Sequence, residues 1–345
     1  MAVDPVPYVV HGAKHSADVF RQAFHDSTGG GEGISTPTSF HVRQTATPSN
    51  QVRVRAGGAI ILNSYQGGAG QSYAVRNMSD TLVDVPASDS TGSKSYYIIV
   101  RISDPQFAGP TPADPEVGPY VFMECVPQSS TITDPHLKLA SVVVPASTAT
   151  ITNSMITSLR EVANPIVGQF TFARPRLMAD DDPRQNLLTA RFTGANGEWY
   201  GEYFPGGDGS ANEARQLVPA RATHMSVRAD WLAVRGVSNL NCHGRYWLEY
   251  GDEYRNHTWP GGRQLEFATQ QFAFDTTGTQ GSYRMNWALM DQVPIPKKLR
   301  GKEVRFAFKA GVSDTADRDG VMMNALSGLG LHVVFSMEPL DSDTI

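Results

Sequence analysis

The sequence predicts an all-β protein: an N-terminal antiparallel β domain with two short helices, followed by a C-terminal jelly-roll-like β-sandwich. Three observations carry this. From residue 38 onward, apolar residues recur with a period of two, the spacing that lines one face of a strand. The chain of 345 residues holds 32 Gly and 22 Pro with only 18% charged residues, a mixture suited to short strands joined by many turns. Helical spacing shows in only two short stretches, near 14–26 and 153–160.

In chain order, residues 1–37 read as an N-terminal arm and helix. The first ten are Pro-rich and apolar. Ala17, Phe20, Ala23 and Phe24 then recur at helical spacing, with Ser16 placed to cap. Thr28-Gly-Gly-Gly-Glu-Gly33 ends that helix. Residues 38–164 read as a β domain. Phe40 and Val42, Val52 and Val54, and Ile60 and Leu62 alternate with polar partners, and Gly57-Gly58 suits a hairpin turn. A turn at Gly67-Gly68-Ala69-Gly70 leads to Tyr73 and Val75, then to Thr81–Val85. Apolar runs at Ser95–Arg101 and Tyr120–Val126 flank a Pro/Gly-rich hinge over 105–119. Lys138–Ser147 is a further strand, and Ile151–Glu161 closes with the second short helix.

Residues 165–182 read as a linker, with Asn164–Pro175 leading into a new strand and Asp180-Asp181-Asp182-Pro183 as a turn-rich punctuation. Residues 183–338 then supply about eight strands: Leu187–Phe192, Glu198–Phe204, His224–Arg235, His243–Tyr250, Gln264–Phe274, Tyr283–Leu289, Val304–Phe308 and Leu331–Phe335. That count without a strong helix fits a jelly-roll sandwich. The acidic end, Glu338 to Asp343, reads as a loose tail, with 339–345 outside the sandwich. No period of 20–50 residues repeats, which excludes a propeller or solenoid.

Several functions are disfavoured by composition. Net charge is −5 and no run of Lys and Arg exists, so no nucleic-acid partner is expected. No basic segment with an apolar core opens the chain, and no apolar stretch approaches the roughly 20 residues that span a bilayer. A chain that is soluble, or that reaches its site by assembly in place of export, without membrane insertion, is expected. The two cysteines, Cys125 and Cys242, sit in separate strands and read as buried free thiols.

Catalytic and metal patterns are weak. His11 and His15 are four apart but lack a third ligand, and no His-Glu-x-x-His occurs. Three adjacent aspartates at 180–182 cannot all turn toward one calcium ion. Asp252-Glu253 is a carboxylate pair of a kind any long chain contains. No Gly-x-Ser-x-Gly elbow exists, and Gly67-Gly68-Ala69-Gly70 lacks the Lys-Ser/Thr of a phosphate loop. No enzyme activity, cofactor or metal is expected.

The aromatic residues are more telling. All five tryptophans fall between 199 and 287. Trp231, Trp247 and Trp287 lie in alternating strands and read as core. Trp199, Tyr200, Tyr203, Tyr254 and Trp259 lie beside Gly, Pro and Asn, as loop residues do. Such rings suit a surface that recognises a glycan or a protein, because they give contact area at low entropic cost. Ordinary packing beneath loops is the alternative.

Residues 38–162 resemble the N-terminal module of minor tail and upper-baseplate proteins of tailed phages of the siphophage type. The features that match are Gly57-Gly-Ala-Ile-Ile-Leu62, the Tyr96–Arg101 strand followed by Asp104-Pro105, the Leu139-Ala-Ser-Val-Val-Val-Pro-Ala146 strand, and Met155–Arg160. The resemblance implies a module that docks into the tail tip, a variable distal domain, and no transferable functional residue. It implies a virion protein of the tail tip, made in the host cytoplasm. Its partners would be other tail-tip or baseplate proteins, further copies of itself in a trimer, and a host-surface glycan. The competing expectation is a tail-associated hydrolase of envelope polysaccharide.

Overall fold

A computed structural model describes residues 10–175, 177, 187–192, 201–206, 213–251, 269–313 and 320–340. The chain is all-β, in two compact units. One comprises Met1–Pro165 together with Met337–Ile345, the other Ile166–Ser336.

Among the described residues the first unit carries one α-helix, α1 (Ala17–Ser27), whose Val19 N–H donates to the Ser16 hydroxyl at 3.3 Å. Three antiparallel sheets follow. One joins β1 (Gly33–Ile34), β4 (Gly57–Leu62) and β5 (Ser72–Asn77) in that order. A second joins β2 (Val42–Gln44), β3 (Gln51–Val54) and β6 (Thr81–Asp84). The third takes β7 (Lys94–Ile102), β8 (Val121–Pro127), β9 (His136–Val144) and β10 (Ile156–Ser158) in the order β10-β9-β7-β8. Alternate residues of these strands, among them Val52, Val54, Ile61, Ile98, Leu139 and Val142, are fully buried and form the core.

Two expectations fail in this unit, and α1 faces in an unforeseen direction. Gly57-Gly58 is no hairpin turn, because it lies inside β4, which pairs with β1 and β5 and not with β3. The glycine is needed for closeness: a Cβ on Gly57 would stand 2.5 Å from Ser39 Cβ. The second helix is absent. Asn153–Met155 forms one 3₁₀ turn, and Ile156–Ser158 pairs with β9 as a strand. Ile156 and Thr157 are β-branched and stiff, which favours the pleated state once a partner edge is present. Finally, α1 turns its apolar stripe outward. Phe20 and Phe24 are 41% and 42% exposed, while Arg21 is 8% exposed.

The second unit is a jelly roll. Its strands are β11 (Ile166–Arg174), β12 (Glu202–Tyr203), β13 (Glu213–Leu217), β14 (His224–Gly236), β15 (Asn241–Tyr250), β16 (Gln270–Asp275), β17 (Tyr283–Pro294), β18 (Glu303–Val312), β19 (Val321–Met322) and β20 (Gly328–Ser336). One sheet runs β11-β20-β14-β17, with β19 beside β14. The other runs β12-β18-β15-β16, with β13 also on β18. With the two-residue strands β12 and β19 set aside, the eight long strands run 1-8-3-6 and 2-7-4-5 in chain order, which is the double Greek key of that fold. The inner faces interdigitate in one core. Trp231 is at its centre, 0% exposed, its indole N–H donating to the Phe204 carbonyl at 3.0 Å. Trp287 stacks on Phe272 and Tyr246 at 4.4 and 4.9 Å between centroids.

The expected linker over 165–182 is also corrected. Ile166–Arg174 is a nine-residue strand paired along β20, and Phe170 and Phe172 pack on the core. Leu187–Phe192 forms two isolated bridges and no strand. Of Glu198–Phe204, the described part holds only β12. The chain end is not loose through Leu340. The Met337 N–H donates to the Pro165 carbonyl at 2.7 Å and the Leu340 N–H to the Pro37 carbonyl at 3.0 Å. The Leu340 carbonyl accepts from Arg160 at 2.9 Å.

Candidate functional site

The second unit concentrates charge where its strand pattern predicts a surface. In β18, Val304, Phe306, Phe308, Ala310 and Val312 face the core. Arg305, Ala307 and Lys309 must therefore face the other way. They are nevertheless covered, at 0%, 0% and 9% exposure.

Neighbouring strands complete the cluster. Across β18, Glu213 of β13 and Glu249 of β15 stand opposite Ala307 on its two sides. Two strand spacings, about 10 Å, separate their backbones. One register step of the same face brings Tyr203 of β12 and Trp247 of β15 opposite Lys309. Gly201 lets the chain pass over the indole, since a Cβ there would fall 2.3 Å from Trp247 Cη2.

Arg305 donates to the Tyr203 hydroxyl at 3.1 Å and to the Gly251 carbonyl at 3.2 Å, and lies 3.7 Å from Glu213 Oε2. Arg215 donates to Glu213 Oε1 at 3.0 Å. The Lys309 ammonium lies 3.9 Å from Glu249 Oε1 and 4.6 Å above the Tyr203 ring. Trp247 donates its indole N–H to that same Glu249 oxygen at 3.2 Å. Burial lowers the pKa of Lys309, and Arg305 adds to this; Glu249 and Glu202 oppose it. Glu213 Oε2 and Glu249 Oε2 are fully covered and accept no hydrogen bond. Each carboxylate is held by a cation, so the cluster ties β12, β13, β15 and β18 together.

Of the expected recognition residues, only Tyr203 is described. It is 8% exposed beneath Arg305 and Lys309, which corrects its placement on an open loop. Trp199, Tyr200, Tyr254 and Trp259 lie outside the described residues, as do Asp180–Asp182 and Asp252-Glu253. The Arg305–Lys309 cluster was missed because charged residues at period two in a strand read as solvated. Among the described residues, no three His, Cys, Asp or Glu side chains converge to hold a metal ion. No described helix is long and apolar enough to cross a membrane.

No protein-family model and no curated protein matches the chain. Among solved structures it is similar to dimeric latent PorU from Porphyromonas gingivalis, at 11% identity and a TM-score of 0.24, over 94% of this chain and 26% of that one. It thus spans about a quarter of PorU. It is also similar to infectious bursal disease virus, Gx strain, at 10% identity and a TM-score of 0.23, over 88% and 75% of the two chains. The VP2 subviral particle of infectious bursal disease virus gives 11% and 0.23, over 92% and 77%. Likenesses at this level do not decide a function.

Proposed function

We propose that the chain is a structural virion component, a minor tail or baseplate protein of a tailed phage, whose first unit docks in the tail tip and whose jelly roll is displayed. One observation carries the reading: the jelly roll leaves the first unit through β11 and returns through β20, adjacent strands of one sheet. A module held by both ends is suited to display under load. The order of strand motifs over 38–162 supports the docking role. Jelly rolls occur in capsid and lectin domains, which accords with a part that works by shape, though a fold alone names no function. Within this reading the partners are other tail-tip proteins, further copies in a trimer of cyclic symmetry, and a host-surface glycan bound by the distal unit.

The test is to image tailed particles that carry a tagged copy. Density at the tail tip is expected, and protein recovered only free of particles overturns the proposal. Incubation with host envelope polysaccharide tests the rival. Released reducing ends would select the hydrolase.

A further inference from the structure

The first unit contains a groove of about 450 Å³ assembled from four separated segments, one of them Leu62–Ser64 at the end of β4. Glu32 precedes β1. His136 and Lys138 open β9. Leu159 and Glu161 follow β10. The Ile34 N–H donates to the Glu161 carbonyl at 2.7 Å and the Leu159 N–H to the Leu139 carbonyl at 3.0 Å, so the backbone fixes these walls. Leu137 is buried in the floor and Leu159 is 38% exposed beside it.

The polar groups are unevenly matched. The Glu32 carboxylate accepts one hydrogen bond, from Leu62 N–H at 2.9 Å. Glu161 makes no side-chain hydrogen bond or ion pair within the described residues. His136 Nδ1 donates to the Asp134 carbonyl at 2.9 Å, which fixes the ring against the chain just before β9. Lys138 turns its ammonium over the Tyr97 ring at 4.4 Å and forms an ion pair with neither glutamate. Burial raises the pKa of Glu32; the Leu62 N–H and His136 work against this, and the nearby Glu161 adds to it. The groove thus presents two carboxylates that have no ion-pair partner among the described residues, beside the aliphatic side chains of Leu62, Leu137 and Leu159.

We propose that this groove seats a lysine or arginine side chain of an adjoining polypeptide, with its aliphatic stem on Leu137 and Leu159 and its charged head against Glu32 and Glu161. The choice follows from charge complementarity. A cationic head supplies the charged donor that neither carboxylate has among the described residues, and its methylene stem covers the leucines. The inference rests on the groove alone and stands whether or not the chain belongs to a phage tail.

The test is an NMR titration of the full-length, ¹⁵N-labelled protein with the blocked tripeptide acetyl-Gly-Arg-Gly-amide, its citrulline analogue, and glucosamine. The arginine peptide is expected to shift the amides of Leu62 and Leu159 with millimolar saturation, and the citrulline peptide to leave them unmoved. Glu32→Gln and Glu161→Gln should each weaken the response about tenfold, as for one lost charge-assisted contact. Glu161 is exposed, so its variant keeps the fold. Equal shifts with citrulline, or an unchanged response in Glu161→Gln, overturn the proposal. A stronger response to glucosamine overturns the polypeptide source.

Discussion

Helix α1 is held to its unit by an arginine, and this can be set directly against the apolar face that its spacing suggests. The Arg21 guanidinium donates to Asp18 Oδ1 at 2.5 Å, Gln71 Oε1 at 2.6 Å, Gln106 Oε1 at 2.6 Å and Asp104 Oδ2 at 3.2 Å. It also lies 5.5 and 5.4 Å from the Tyr73 and Phe107 ring centres. Arg21→Met keeps the stem and deletes every donor. Removing one partner of a buried pair costs about 3–5 kcal/mol. Here Asp104 is 17% exposed and keeps the Tyr73 hydroxyl at 2.9 Å, while Asp18 is 45% exposed and rehydrates. The lower end, about 3 kcal/mol, is therefore expected. Phe24→Ser removes a ring already 42% exposed, worth about 1 kcal/mol. Hydrogen exchange of the α1 amides at pH 7 should rise about 30-fold more in Arg21→Met than in Phe24→Ser, the ratio for about 2 kcal/mol. Tryptophan fluorescence, which reports only on 199–287, should be unchanged in both. Greater opening of the helix in Phe24→Ser would refute the reasoning.

Other outcomes follow from the same geometry. Burial acts to raise the Asp18 pKa, but its bonds to Arg21, Gln106 and Gln71 prevail and hold it below 3.8. A depressed carboxyl stabilises above its unfolded pKa, so α1 protection, corrected for intrinsic exchange, should hold from pH 7 to 5 and fall only below about 4; a loss complete by pH 5 would contradict this. Burial pushes the Cys125 thiol up to about 12, and Cys242 is 1% exposed, so a disulfide reagent at pH 8 should modify neither quickly until the protein is unfolded. Gly201→Ala, at φ +71° and against Trp247, should destabilise the jelly roll by about 2–4 kcal/mol, read as a lower urea midpoint of tryptophan fluorescence. Ending the chain after Glu338 removes Leu340, and should speed exchange near Pro37 and Arg160 while leaving that fluorescence transition in place.

How far the sequence can be read varies by element. β14 was plain because Met225, Val227, Ala229 and Trp231 alternate without interruption, and all four are buried. β11 is only half legible: the segment reads as leading into a strand, but Pro165 and Gly168 look like loop residues, and only the distant β20 turns Phe170 and Phe172 into a packed face of the sandwich. The 153–160 stretch misled because Met155 and Leu159 fit a helical spacing, whereas the free edge of β9 decides the outcome. The groove could not be seen at all. Glu32, His136 and Glu161 share no local spacing, and only strand pairing brings them to one place. Likewise nothing local tells that Arg305 and Lys309 are covered.

The register of β11 on β20 has a consequence for how such a chain can change. Ile166 stands opposite Ser336, so the two junctions lie about 5 Å apart, the gap that a tight hairpin closes. The whole jelly roll can therefore be excised and replaced by a two-residue turn, or traded for another cassette whose ends emerge side by side. Such an exchange takes place at a single splice point and leaves the remainder of the polypeptide untouched.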